Sequence, residues 1–151
     1  MGGMIATQNA SDSGAARLGT HRRPTEVVAG LVNDGSALPV AAAAVREAVR
    51  RRLPVRFLQL VAGVPGTGHD SSVAADEATF RAGLHALHGH PRTPSTFELV
   101  IGDPATQVVA RSRGAVVLVV GDHPSDERGP SLADYCRAHA DCAVHAVDLD
   151  D

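Results

Sequence analysis

The stretch from Phe97 to Gly121 limits what this chain can fold into more than any other. Two apolar runs, Phe97-Glu98-Leu99-Val100-Ile101 and Ala115-Val116-Val117-Leu118-Val119-Val120, bracket one helix-sized segment. Asp103 is a good N-cap, and Pro104 suits the first helical position, where its missing N–H is no loss. Gly114 stands where such a helix would end. The second run is apolar at six consecutive positions, without the alternation of a half-solvated strand. That is the pattern of a strand buried on both faces. Strand, helix and buried strand make a βαβ unit, which requires a right-handed crossover within a parallel sheet.

The rest of the chain repeats the alternation. Val27–Val32 reads as the first strand, followed by an Asn33-Asp34-Gly35-Ser36 turn whose residues tolerate unusual backbone angles. A helix is predicted over 37–52, with Leu38, Ala42, Val45 and Val49 on its buried stripe. Pro54–Val61 is the second strand. Gly63–Ser72 reads as a Gly/Ser-rich loop in which Gly63, Gly66 and Gly68 only loosely resemble a phosphate-binding set. A helix over 73–88 follows, with Val73, Phe80, Leu84 and Leu87 facing inward. After the opening βαβ unit come a polar loop over 122–130 and a helix over 131–140, with Ser131 as N-cap and Asp134 as its capping-box partner. Cys142–Val147 is the last strand. Five strands alternating with four helices predict an α/β fold with a doubly wound parallel sheet.

Composition agrees with this class. Hydrophobic residues make up 44% of the chain and aromatics only 3%, so the core must be built from Val, Leu, Ile and Ala. A length of 151 residues allows one domain with a real core. The predicted organisation is a disordered tail over 1–24, a domain over 25–149 and a frayed end at 150–151. A net charge of -3 and a pI near 6.2 imply no broad basic surface, which argues against a nucleic-acid partner. No apolar stretch is long enough to span a membrane. No signal-peptide hydrophobic region opens the chain, so a cytoplasmic protein is expected. Cys136 and Cys142 lack CxxC spacing and read as reduced, partly buried thiols. His85, His88 and His90 cluster, but a polar helix end explains them without a metal.

In a doubly wound sheet, ligands sit outside the carboxyl ends of the strands, where strand order reverses. Asp34 ends the first strand there and can accept from a sugar hydroxyl or an adenine amine. Ser131 opens a helix whose free N–H groups would face the same edge, a natural place for an anion.

At these residues the chain resembles the universal stress protein family. The resemblance rests on Asp34-Gly35-Ser36 after the first strand and Gly102-Asp103-Pro104-Ala105 opening the third helix. Val117-Leu118-Val119-Val120-Gly121 and the closing helix into Cys142-Ala143-Val144 add to it. It covers about residues 25–149 and implies a Rossmann-like five-stranded sheet of order 3-2-1-4-5. It also implies a homodimer, here through the last strand over 142–148, and ATP binding in some members.

Members that bind ATP carry Gly-x2-Gly-x9-Gly-Ser/Thr after the fourth strand. Gly121 matches the first glycine, Pro124 replaces the second, and Pro130 stands before Ser131 where a glycine belongs. Proline removes an N–H at both places. Asp122, Asp126 and Glu127 add negative charge, so the loop opposes a triphosphate unless a divalent ion bridges the acids. The positions implied for a bound adenine nucleotide are Asp34 and Leu60 at the nucleoside, with Gly121 and Ser131 at the phosphate. The expectation is a non-catalytic regulatory module of the stress response. The alternatives are an ATP-binding member with weak or no hydrolysis, and a nucleotide-dependent enzyme on the same fold. His88-Gly89-His90 lacks the spacing and strand-end position that a HxGH adenylyl-transfer site needs.

Overall fold

The structure is a computed structural model that describes residues 25–61, 69–122 and 131–149. Its elements alternate throughout. The strands are β1 (Val27–Val32), β2 (Val55–Val61), β3 (Ser95–Ile101), β4 (Val117–Asp122) and β5 (Ala143–Asp148). The helices between them are α1 (Ala37–Arg51), α2 (His69–Leu87), α3 (Pro104–Arg111) and α4 (Leu132–His139). The strands form one parallel sheet of order β3-β2-β1-β4-β5. This is the doubly wound, Rossmann-like arrangement that the alternation predicts. The expected tail over 1–24 and the glycines at 63, 66 and 68 lie outside the described residues.

Two packed layers seal the sheet. On one face Val27, Ala29, Leu31, Phe57 and Val119 meet the alanines and valines of α1. On the other, Val28, Leu58, Leu118 and Val120 meet Val108 of α3 and Ala133 and Cys136 of α4. β4 is buried at each residue from Val117 to Gly121, as an unalternating valine run requires.

Helix ends follow local chemistry. Asp103 Oδ2 accepts from Thr106 N at 3.0 Å and from Thr106 Oγ1 at 2.7 Å, with Pro104 beside it in the first turn. These bonds hold the Asp103 carboxyl below the usual range. Gly114 closes the turn after α3 at φ +83°, a region that costs glycine nothing.

The buried faces of α1 and α2 correct the expected ones. In α1 the inward residues are Ala37, Val40, Ala41, Ala44, Val45 and Ala48, whereas Leu38 and Val49 are 42% and 40% exposed. An alanine-rich stripe lets the helix axis approach the sheet closely, and the two larger side chains are left at its flanks. α2 begins at His69, so the segment read as a loop is partly helical. Thr79 and Gly83 are buried and Leu87 packs against the core as expected, while Phe80 and Leu84 are exposed; the side chain of Val73 lies outside the described residues. The reason is Phe97. Its ring stacks on Phe57, with centroids 4.8 Å apart, and tilts against Phe80 at 4.7 Å. A Cβ at Gly83 would come within 2.6 Å of that ring.

Gly83→Ala therefore runs against the usual helix rule. At an exposed helical site this change stabilises by about 1 kcal/mol. Here overpacking against a ring clamped on two sides should destabilise by about 1–3 kcal/mol in urea unfolding. Pairing it with Phe97→Leu should recover part of the loss, because the added methyl then has room.

Candidate functional site

β1 pairs with β2 over six residues, from Val27↔Val55 to Val32↔Leu60. It pairs with β4 only from Val27↔Val117 to Ala29↔Val119. Beyond Ala29 no residue pairs join the two central strands, and the crevice expected at a switch point lies outside their carboxyl ends. This is the point where strand order reverses, because the chain winds outward to β2 on one side and to β5 on the other. Gly30 lies at its floor, with Val108 and Val120 side chains 3.0 and 3.3 Å from where a Cβ would stand.

Asp34 sits two residues past the end of β1. Its Oδ1 accepts from Ser36 N at 3.0 Å and from Ser36 Oγ at 2.5 Å, which fixes the turn into α1. Asn33 beside it points the other way and donates through Nδ2 to Asp76 Oδ1 of α2 at 3.0 Å. Gln59 Nε2 donates to the Asp76 carbonyl at 2.7 Å. Asp76 thus ties α2 to the ends of β1 and β2.

Leu60 ends up inside. Its side chain is packed in the core on the α3 face, so the backbone is what it can offer to a ligand. Gly121 is also buried, and a Cβ there would lie 2.6 Å from Leu149 Cδ1 and 3.4 Å from Val40 Cγ2. A side chain there would have to displace the end of the Leu149 side chain. Pro124 and Pro130 lie outside the described residues.

Ser131 is the N-cap of α4. Its Oγ accepts from Asp134 N at 3.1 Å, and Ser131 N donates to Asp134 Oδ2 at 3.4 Å, a reciprocal capping box. Arg137 then bridges two acids, with Nη1 donating to Asp134 at 3.0 Å and Nη2 to Asp122 at 3.2 Å. Nothing local in the sequence marks the second contact, because it joins α4 to the end of β4. The lip beside Ser131 carries two carboxylates and one guanidinium. Two like charges 4 Å apart repel by about 4 kcal/mol at an effective dielectric of 20, so each added phosphate charge is resisted here.

Among the described residues, no group of three or more His, Cys, Asp or Glu side chains could hold a metal ion. No described helix is long and apolar enough to cross a membrane. The two cysteines are unbridged. Burial pushes the Cys136 thiol up to about 11, with the nearby Cys142 adding to the shift and Arg137 opposing it. Burial also raises Cys142, against a hydrogen bond from Ser112.

This arrangement defines a class, a parallel Rossmann-like domain whose strand order reverses between its two central strands. Comparison with solved structures narrows it. The universal stress protein of Archaeoglobus fulgidus in complex with dAMP is 20% identical, with 82% of this chain and 97% of that chain covered at a TM-score of 0.62. A universal stress protein in complex with cAMP is 17% identical over 83% of this chain and 98% of that one, at a TM-score of 0.68. A universal stress family protein from Burkholderia pseudomallei is 23% identical over 82% and 95%, at a TM-score of 0.60. No protein-family model and no curated protein matches the sequence. The chain has the universal stress protein fold.

The thiols give a direct check on packing around α4. Iodoacetamide at mildly alkaline pH should alkylate Cys142 first and buried Cys136 about tenfold more slowly or worse. The unfolded chain releases thiol protons above about pH 8.5, whereas folded Cys136 keeps its own up to about 11. Stability, read as a urea midpoint, should therefore hold below the ordinary thiol range and fall as pH rises through it.

Proposed function

We propose that this protein is a non-catalytic regulatory module of the universal stress protein type, and that its crevice takes an adenine nucleoside monophosphate in preference to a triphosphate. The observation that carries the reading is the loss of β1–β4 pairing after Ala29. It leaves Asp34 and Ser131 at the same edge of the sheet, after the ends of the two central strands. Three of the similar structures support the choice of ligand, since they are described with cAMP, dAMP and AMP.

Asp34 would accept from the ribose or the adenine amine, and the Leu60 backbone would flank the base. The phosphate would approach Gly121 and the first turn of α4 at Ser131. The acid-bearing lip at Asp122 and Asp134 disfavours a longer phosphate chain. No residue is positioned as a base or nucleophile in this scheme, so the output is a bound state rather than a product.

Isothermal titration tests this. AMP should bind more tightly than ATP, with ATP weaker than about 50 µM, which corresponds to about 6 kcal/mol. Asp34→Asn keeps an acceptor for the Ser36 turn but removes the charge, and it should weaken AMP about tenfold. ATP binding tighter than AMP, or Asp34→Asn binding as the parent does, would overturn the assignment.

We further propose that β5 forms the contact of a homodimer. It is an edge strand, with Ala143, His145 and Asp148 exposed, and a bare edge invites antiparallel pairing. His145 would then lie near the twofold. Light scattering on the full chain should give the mass of two copies. A monomer at all concentrations would remove the dimer and leave the nucleotide reading standing.

A further inference from the structure

The α1–α2 side of the sheet carries a second opening, separate from the crevice. It is a groove of about 450 Å3 between the first turn of α1 and the later turns of α2, within the size range of small-molecule sites. Leu38, Ala78 and Ala82 make apolar walls, and Asn33, Arg81 and His85 bring polar groups to it. Leu38 is the informative wall. A leucine near the start of a core helix normally packs against protein, yet here it is 42% exposed and borders open space.

Arg81 carries the fixed charge among the described residues that line the groove. Arg81 and His85 are one turn apart on α2, so they share a helix face. Among the described residues, no carboxylate lines the space. Asp76 accepts from Asn33, and Glu77, one turn before Arg81, lines the neighbouring groove with Gln59 and Leu99. The first turn of α1 carries no acid. Among the described residues, no ion pair involves Arg81. A guanidinium without a protein carboxylate, set over apolar walls, is matched by a ligand with one carboxylate and an apolar body. A nucleotide fits it poorly, because its ribose would leave hydroxyls against Leu38 and the alanines.

We propose that this groove is a ligand site for a monoanionic carboxylic acid with a short apolar tail. Arg81 holds the carboxylate, His85 donates beside it, and the tail lies on Leu38, Ala78 and Ala82. The site does not depend on the nucleotide reading of the crevice.

The test is an amide-resolved NMR titration of the isotope-labelled full chain with hexanoate, and with hexanamide as its uncharged counterpart. Hexanoate should shift the amides of 33–38 and 78–85, and hexanamide should bind about tenfold more weakly or worse. Arg81→Gln, at an exposed position, should keep the folded spectrum and lose about tenfold in hexanoate affinity. AMP at saturation should not displace hexanoate. Absence of shifts in the groove would overturn the proposal. So would equal binding of the amide, undiminished binding by Arg81→Gln, shifts centred on the exposed Phe80–Leu99 side of α2, or displacement by AMP. The last outcome would place both ligands in one site, whereas failure of AMP to bind anywhere would leave this groove untouched.

Discussion

Burial of β1 on both faces is the constraint from which the other features follow. Val27, Ala29 and Leu31 are sealed by α1, and Val28 by the α3–α4 layer. Burying Val27, Val28 and Leu31 contributes roughly 5–9 kcal/mol before conformational entropy is counted, comparable with the net stability of a whole domain. A strand held this way must lie at the centre of the sheet. Its hydrogen bonds, however, are shared unequally between its neighbours, six residue pairs with β2 against three with β4. Side-chain packing holds β1 and β4 in one sheet, and the lost pairing opens the crevice. Gly30 belongs to the same balance, because a side chain there would press on Val108 and Val120 where the strands part.

Charge then decides what such a crevice can accept. At one lip Asp34 spends one oxygen on the turn that launches α1. At the other, Asp134 occupies the start of α4, where a helix would otherwise welcome an external anion. Arg137 restrains Asp134 and Asp122 together, so its own charge is partly used within the protein. The helix start favours a phosphate and its surroundings temper that preference. A singly esterified phosphate with few charges meets the weakest opposition.

How far the sequence discloses this depends on the range of each interaction. The caps at Asp103 and Ser131 are legible because donor and acceptor lie within three residues. The strand order is legible because alternation and a doubly buried valine run leave few topologies, and the resemblance selects among them. The inward faces of α1 and α2 are not. The stripe of α1 shifts from Leu38 and Val49 to alanines because close approach to the sheet outweighs the hydrophobicity of the larger residues. The face of α2 is set by Phe97, which comes from β3 and needs the bare backbone of Gly83. The same limit applies at the site. Asp34 is marked by its place after a strand, but the Arg137–Asp122 bridge and the pairing of Leu38 with Arg81 across two helices exist only once the chain is folded.

The opposite edge of the sheet is held by a network of charged side chains. Arg56 near the start of β2 donates to Glu26 at 2.7 Å, to Glu98 at 2.9 Å and to the carbonyl of Arg111 at 2.7 Å. Arg111 in turn pairs with Glu98. Burial opposes the Arg56 charge, but the bonds to Glu26 and Glu98 outweigh it and raise its pKa. Each pair is partly exposed and worth at most about 1 kcal/mol alone. Their geometry matters more than their sum, because one guanidinium joins the approach to β1, two strands and the end of α3. That edge is cross-linked by charge, and the carboxyl edge by the Arg137–Asp122 pair and the Asn33–Asp76 bond.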